Sequence, residues 1–272
     1  MRKLKHGPGD TRFRVIVPFY NASNWLKANV ASLKEQTYDN FTVIMVNDCS
    51  KDDSVEVALK MIGSDDRFKI IQTEKNGGAL ASTFLGIKSL NLKSSHEDVI
   101  VIVDGDDWLA NKNVLYKLNE IYSSDPRILL TYGSYIEYPS GLRGKFSKQV
   151  PDNIIKNKLF RESEWMTSHM RTFKYRLWAY TRRKDVLDSN GKIYSMAGDL
   201  PVMFPMLEMA GSPKNVKYIH DIMYVYNRTN PLNEDKVNHE LQLSIEAEVR
   251  AKKKYPSLSA MRKGLGKQHF ND

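Results

Sequence analysis

Three carboxylates fall within four residues at Asp104-Gly105-Asp106-Asp107, directly after the five apolar residues 99–103. Acids at this spacing can do two things. They can turn the chain and cap the next helix, because Asp favours turns and helix N-termini. Or they can hold Mg²⁺ or Mn²⁺, which prefer oxygen ligands and bind a substrate phosphate alongside. Asp-Gly turns are common, so the segment alone admits both readings. The surrounding chain has to separate them.

The elements that would position these acids alternate in type. Residues 12–20 and 41–48 are short apolar runs rich in Val, Ile and Phe, which read as buried strands. Residues 68–78 give a third strand and a Gly-rich turn, and 98–107 a fourth strand. Between them, Trp25, Leu26, Val30 and Leu33 recur at helical spacing, 50–63 reads as a helix with Ser50 as N-cap and Gly63 as its stop, and 79–92 as another. Strands alternating with helices of this length imply an α/β fold, with a mostly parallel central sheet flanked by helices. Ligands of such sheets bind beyond the carboxyl ends of the strands. There the chain places Pro18-Phe19-Tyr20-Asn21, Asn47-Asp48, Asn76-Gly77-Gly78 and Asp104–Asp107. Four strand ends that are all polar, Gly or Pro favour a functional cluster over four unrelated turns.

The second half is less regular. Residues 113–124 read as an amphipathic helix, 127–141 as a strand and turn, and 216–235 as a strand and turn. A helix over 198–211 has Asp199 near its start, where an acid also suits the helix dipole. A charged helix spans 238–253, and the tail 261–272 is expected to be loose. Residues 142–185 mix basic and aromatic types without a period. The division expected is one domain over 1–272, with a nucleotide-binding half at 11–110, an acceptor half at 111–236 and a C-terminal helix and tail at 237–272.

Composition narrows the classes. The chain has 272 residues, a net charge of +9 and one cysteine, Cys49, so no internal disulfide can form and a reducing, cytoplasmic setting is expected. No run reaches the roughly 18 apolar residues of a membrane span. Basic density at 1–14, 141–148, 171–184 and 250–267 shows no aromatic-basic RNA motif or zinc finger, so no nucleic-acid partner is expected. The basic C-terminal helix permits peripheral membrane contact. There is no G-x-x-x-x-G-K-[ST], no G-x-G-x-x-G after the first strand and no G-x-S-x-G, which disfavours P-loop, dinucleotide-binding and α/β-hydrolase chemistry.

"VIVPFYN" at 15–21, "VNDCSKDDS" at 46–54, "NGGALASTFLGI" at 76–87 and "VDGDDWL" at 103–109 together resemble the family 2 glycosyltransferases of the GT-A fold. Weaker likeness continues through residues 197–211 and 219–233. The resemblance implies a Rossmann-like nucleotide-binding fold and transfer of one sugar from a UDP-sugar to an acceptor hydroxyl, with inversion. The acceptor would be a glycan, a lipid-linked sugar or a protein. It implies that Pro18, Phe19 and Tyr20 line the base and ribose, that Asp48 accepts from the base, and that Asn76 and Gly78 shape the adjoining loop. Asp104-Gly105-Asp106 matches the DXD signature, with Asp104 at the ribose or a metal-bound water and Asp106 the direct ligand of Mn²⁺ or Mg²⁺. Asp107 is a second, supporting candidate. Asp199 falls where these enzymes carry the general base, and His220 where many carry a late metal ligand.

Two positions depart from the pattern: Thr83-Phe84 stands where Arg-Asn is usual, and Gly198 precedes Asp199 where Glu is common. The base role therefore rests on Asp199 alone. No Gln-x-x-Arg-Trp motif is visible, which disfavours a processive synthase. His169, Arg171, Lys174, Trp165, Trp178, Tyr180, Tyr224, Tyr226 and Asn227 could meet substrate, and packing or solvation is the alternative for each. Two rival functions remain: a sugar-nucleotide nucleotidyltransferase and a non-catalytic sugar-nucleotide or glycan-binding module.

Overall fold

Apolar residues alternate between two faces along the inner strands, as a period of two requires. In the computed structural model, which describes residues 10–92 and 95–264, β1 (Phe13–Phe19) sends Phe13, Val15, Val17 and Phe19 to one face. They share a core there with Leu26, Val30 and Leu33 of α1 (Leu26–Lys34). β2 (Phe41–Asn47) adds Val43 and Met45 to that core, and α2 (Ser54–Ile62) adds Ala58 and Ile62. Ile16, Ile44 and Val46 point the other way, toward Leu80 and Ile87 of α3 (Gly78–Ser89), which follows β3 (Phe68–Gln72). β4 (Val99–Ile102) repeats the division, with Val99 and Val101 on the first face and Ile100 and Ile102 on the second. The expected strand-helix alternation and its two-sided core are both present.

The rest of the chain extends the sheet. A two-residue β5 (Trp108–Leu109) precedes α4 (Val114–Ser124) and the long β6 (Leu130–Tyr138). Then come α5 (Asp152–Asn157), β7 (Thr172–Lys174), α6 (Tyr175–Trp178) and a 3₁₀ turn at Arg183–Val186. α7 (Asp199–Ala210), β8 (Val216–Asn227), α8 (Glu234–Val237), α9 (His239–Ala251) and α10 (Leu258–Gly264) follow. Strand order is β3-β2-β1-β4-β7-β6-β8-β5. The pairs among β1 to β4 are parallel, β7 runs antiparallel to both neighbours, and β6 and β8 pair in parallel. The aperiodic stretch 142–185 thus supplies β7, a three-residue strand beside β4.

Proline shapes the opening of the sheet. The β1–β2 ladder runs to Phe19 and Asn47, but the β1–β4 ladder stops at Ile16 and Ile102. Pro18 has no N–H to continue a ladder. Its carbonyl still accepts from Gly105 N at 2.9 Å, which holds the two strand ends together as they part.

Some expectations shift. Ser50 does not cap α2, which begins at Ser54; its hydroxyl instead accepts from Asn21 N at 3.0 Å and steadies the β1–α1 connection. The start of the supposed loose tail, 261–264, lies in α10, and 265–272 lies outside the described residues. Some basic side chains are engaged within the fold. Arg161 pairs with Glu208, both buried, through Nε at 2.5 Å and Nη2 at 3.1 Å, and its Nη1 donates to Val249 O at 2.6 Å. Arg250 donates to Ser163 O at 2.8 Å and Lys252 to Leu187 O at 2.6 Å. These contacts dock the end of α9 against the second core. No helix among the described residues is long and apolar enough to cross a membrane.

Candidate active site

A cavity of about 1230 Å³ opens at the carboxyl edge of β1, β2 and β4. Pro18, Phe19 and Tyr20 line it from the end of β1, Asp48 from β2, Asn76 and Gly78 from the loop after β3, and Asp104, Gly105, Asp106 and Asp107 from the loop after β4. Asp199 lines it from the first turn of α7. All four strand-end motifs therefore reach one space, although Asn21, Asn47 and Gly77 do not line it.

Asp48 organises the first wall. Its buried carboxylate accepts from Thr73 Oγ1 at 2.9 Å, Gly77 N at 3.0 Å and Gly78 N at 2.7 Å. Successive N–H groups converge on it because Gly78 adopts φ +86°, a left-handed conformation that side-chain-bearing residues rarely enter. Asn76 Nδ2 donates to Asp48 O at 3.3 Å. Gly77 N also reaches the other oxygen at 3.1 Å, so both oxygens of Asp48 are held by the loop and a ligand N–H would have to share one of them.

The acidic loop is held from three sides. Gly105 packs on β1 so closely that a Cβ there would lie 2.4 Å from Phe19 Cβ and 3.0 Å from Pro18 O. Asn29, buried in α1, donates to Asp104 O at 3.0 Å and Asp107 O at 2.8 Å. Tyr224 of β8 accepts from Asp104 N at 3.0 Å and donates to Asp107 Oδ2 at 2.8 Å. The other oxygen of Asp107 accepts from Asn227 N at 2.7 Å. Asp107 is fully buried and its hydrogen bonds face inward, so it supports the loop.

The carboxylates crowd one another. Burial, reinforced by the Asp104 charge, pushes Asp106 up to about 6, although Asn230 Nδ2 donates to it at 2.7 Å. Burial and the charges of Asp106 and Asp104 push Asp107 well above the usual carboxylate range. Acids that resist ionisation together favour a cation between them. Among the described residues, the ligand atoms of Asp104, Asp107 and His169 lie within 4.8 Å of one another. Burial, then the neighbouring Arg171 charge, drives the His169 pKa well below its ordinary value, so the imidazole is neutral and able to coordinate. The oxygen donors suit Mn²⁺ or Mg²⁺, and an imidazole beside them favours the transition metal of the two.

His169 and Arg171 come from the aperiodic stretch. His169 stacks on Tyr224, with centroids 4.8 Å apart, and on Tyr226 at 5.3 Å. Arg171, also buried, reaches Asp104 Oδ2 with Nη2 at 3.2 Å and ion-pairs with Asp199 through Nη1. His220 is not brought here. It is exposed on β8, its ring stands edge-on to Tyr218, and it does not line the cavity.

The remaining aromatic and basic candidates divide. Trp165 and Tyr226 line the cavity, whereas Trp178 is buried against Phe84 at 4.4 Å. Tyr180 packs against the same core, and Lys174 pairs with Glu97 at 2.8 Å, away from the cavity. Of the departing pair, Thr83 lines the cavity and its hydroxyl donates back to Ala79 O at 2.9 Å. Asn29 and Asn230 were missed by sequence reasoning. Asn29 carried one signal: a polar residue on the apolar face formed by Leu26, Val30 and Leu33. Asn230, before a proline, reads as an ordinary turn residue.

The glycosyl transferase family 2 model matches residues 14–184. An uncharacterized glycosyltransferase of Haemophilus influenzae is 31% identical over 121 residues, 44% of this chain and 46% of that protein. Escherichia coli WfgD, named a UDP-Glc:alpha-D-GlcNAc-diphosphoundecaprenol beta-1,3-glucosyltransferase, is 31% identical over 154 residues, 56% of each chain. The matches thus span about half the length of these relatives. The crystal structure of Staphylococcus aureus TarS 1–349 superposes with TM-score 0.61 at 20% identity, over 80% of this chain and 60% of that one, a likeness in fold.

Proposed function

The chain belongs to glycosyl transferase family 2 and has the GT-A fold, and from that premise we propose that it moves one sugar from a UDP-sugar to an acceptor hydroxyl, with inversion and with the help of Mn²⁺ or Mg²⁺. One observation carries the reading: a carboxylate cluster after β4 and a separate carboxylate at the start of α7 share one cavity and one arginine.

The roles follow from position and chemistry. Tyr20 and the backbone of Pro18 and Phe19 flank the base, and Asp48 lies where a ring N–H, which uracil has, can share one of its oxygens with the loop. Asn76 and Gly78 shape the loop beside it. Asp104 and Asp106 would hold the cation by their place in the DXD signature, Asp106 lying outside the converging set of Asp104, Asp107 and His169; His169 would be the nitrogen ligand, and Asp107 fixes the loop. When bound, a divalent cation stabilises charge developing on the diphosphate leaving group. Asp199 accepts the proton of the attacking hydroxyl. Arg171 orients Asp199 and adds positive charge on the diphosphate side. A single base with a single displacement gives inversion at the anomeric carbon.

The family relationship and the donor named for the Escherichia coli relative support UDP. A thermal-shift panel of UDP, GDP, CDP and TDP, each with and without Mn²⁺, tests the reading, because a ligand bound only by the folded state raises its stability. A manganese-dependent shift with UDP is expected. A shift with another nucleotide alone changes the donor, and no shift with any of the four removes the nucleotide and metal site.

A further inference from the structure

Large apolar side chains surround the outer opening of the cavity. Leu142, Phe146, Leu232, Val237 and Leu243 are between 45% and 67% exposed, and all five line the cavity. They come from separate segments: the loop after β6, the turn after β8, α8 and α9. Single exposed apolar residues are ordinary, but several around one opening form a patch that marks an interaction surface.

The patch is held in place. In the loop after β6, Glu137 N donates to Leu142 O at 2.8 Å, Gly144 N to Tyr135 O at 2.9 Å and Ser168 N to Phe146 O at 3.2 Å. The backbone is tied at every second residue, and the side chains of Leu142, Lys145 and Phe146 stand outward. Leu243 rides on α9, whose far end is anchored by Arg161 and Arg250.

Among the residues that line the cavity near its opening, cations outnumber acids. Lys145 lies 4.9 Å from the Phe146 ring centre, and Arg143 and Arg228 line the same region. Of the acids that line the cavity there, Glu164 pairs with Lys148 at 3.1 Å and Glu246 with Arg250 at 2.7 Å, which leaves Glu137 against Arg143, Lys145 and Arg228; exposed Glu240 on α9 lies beside the patch without lining the cavity. Aliphatic and cationic side chains interleaved on one face match a bilayer surface, where the first enter the headgroup region and the second meet lipid phosphates. A second copy is a poorer match, since a chain of net charge +9 repels itself.

We propose that this rim docks on an anionic lipid bilayer, with the cavity opening toward the lipid surface. The docking is read from the rim alone. Its catalytic meaning, that the acceptor is presented from a membrane, rests on the transferase reading.

Sedimentation of the full chain with phosphatidylcholine vesicles, with and without about one third phosphatidylglycerol, tests it. Binding to the anionic vesicles only, weakened by salt, is expected. Leu142→Ser combined with Phe146→Ser should lower the partition coefficient at least about tenfold. Leu243→Ser, on a different segment, should lower it about threefold. Melting temperature and the UDP shift are measured for each variant and should stay near wild type. The proposal is overturned if the wild-type chain stays in the supernatant with both vesicle types, or if folded variants sediment as it does. It is also overturned if light scattering shows a dimer that Leu142→Ser dissolves, which assigns the patch to self-association. Vesicle binding without any nucleotide shift would remove the transferase reading and leave the docking standing.

Discussion

Arg171 and Asp199 form an ion pair in the cavity, and the same guanidinium lies 3.2 Å from Asp104 Oδ2. One buried cation thereby links the carboxylate at the start of α7 to the cluster after β4. The proposed base and the proposed cation site are joined mechanically as well as by charge, so substitutions at the two should not be additive.

Asp199→Asn keeps the shape of the side chain and removes the base. Turnover should fall by about 10²–10⁴-fold, the usual contribution of general base catalysis. UDP binding in a thermal-shift assay should persist, because Asp199 is not placed at the nucleotide. Equal loss of binding and turnover would place Asp199 in donor binding instead.

Asp106 makes the metal-free protein sensitive to pH. Its pKa is about 6 in the folded chain against an ordinary 3.8. Below about pH 4 both states are protonated there and no penalty exists; above about pH 6 the folded state must hold a buried charge. Metal-free wild type should therefore lose stability relative to Asp106→Asn as pH rises from about 4 to 6, by at most about 3 kcal/mol. Urea titrations of both proteins across that range give the difference directly. Parallel curves would show that Asp106 ionises freely.

Asn29→Ala removes both donors that α1 extends to the acidic loop. The buried Asp107 carbonyl loses its partner, at a cost of about 1–3 kcal/mol, while Asp104 O keeps the Asp107 N–H at 3.0 Å. The manganese dependence of the UDP shift should move to higher metal concentration, since the loop that carries Asp104 and Asp106 loosens. An unchanged metal titration would show that Gly105 and Tyr224 suffice to hold it.

Gly105→Ala places a methyl group 2.4 Å from Phe19 Cβ, against a buried side chain. The crevice between β1 and β4 must widen, costing about 1–3 kcal/mol. The UDP shift should shrink together with the melting temperature, because Phe19 and the acidic loop are displaced together.

Glu208→Ala leaves Arg161 buried without its carboxylate; the two side chains are 4% and 0% exposed. A loss of about 3–5 kcal/mol is expected by denaturant titration. It should fall on the α9 side of the molecule, so hydrogen exchange should quicken first in residues 245–255. Uniform loss across the sheet would mean that the pair stabilises the whole fold.

Much of the nucleotide half was readable from the chain. Val15, Ile16 and Val17, like Val43 to Val46 and Val99 to Ile102, are apolar on both faces, and a strand covered on both faces requires that. The polar residues that break those runs lie at strand ends, so Asp48, Asn76 and Asp104–Asp107 could be assigned to one edge before any coordinate was known. Their chemistry is local: a carboxylate three residues past a strand stays near that strand's end in any arrangement of the sheet.

The far wall of the cavity depended on long-range packing. Tyr224 meets Asp107 across 117 residues of chain, and Asn230 meets Asp106 across 124. Arg171 reaches Asp104 because the short β7 inserts between β4 and β6, a position that a three-residue strand cannot announce by periodicity. His220 and His169 show the difference most plainly. Both are lone histidines among aromatic residues, and the order of the strands, fixed by which apolar faces bury each other, brings His169 to the carboxylates and leaves His220 in solvent.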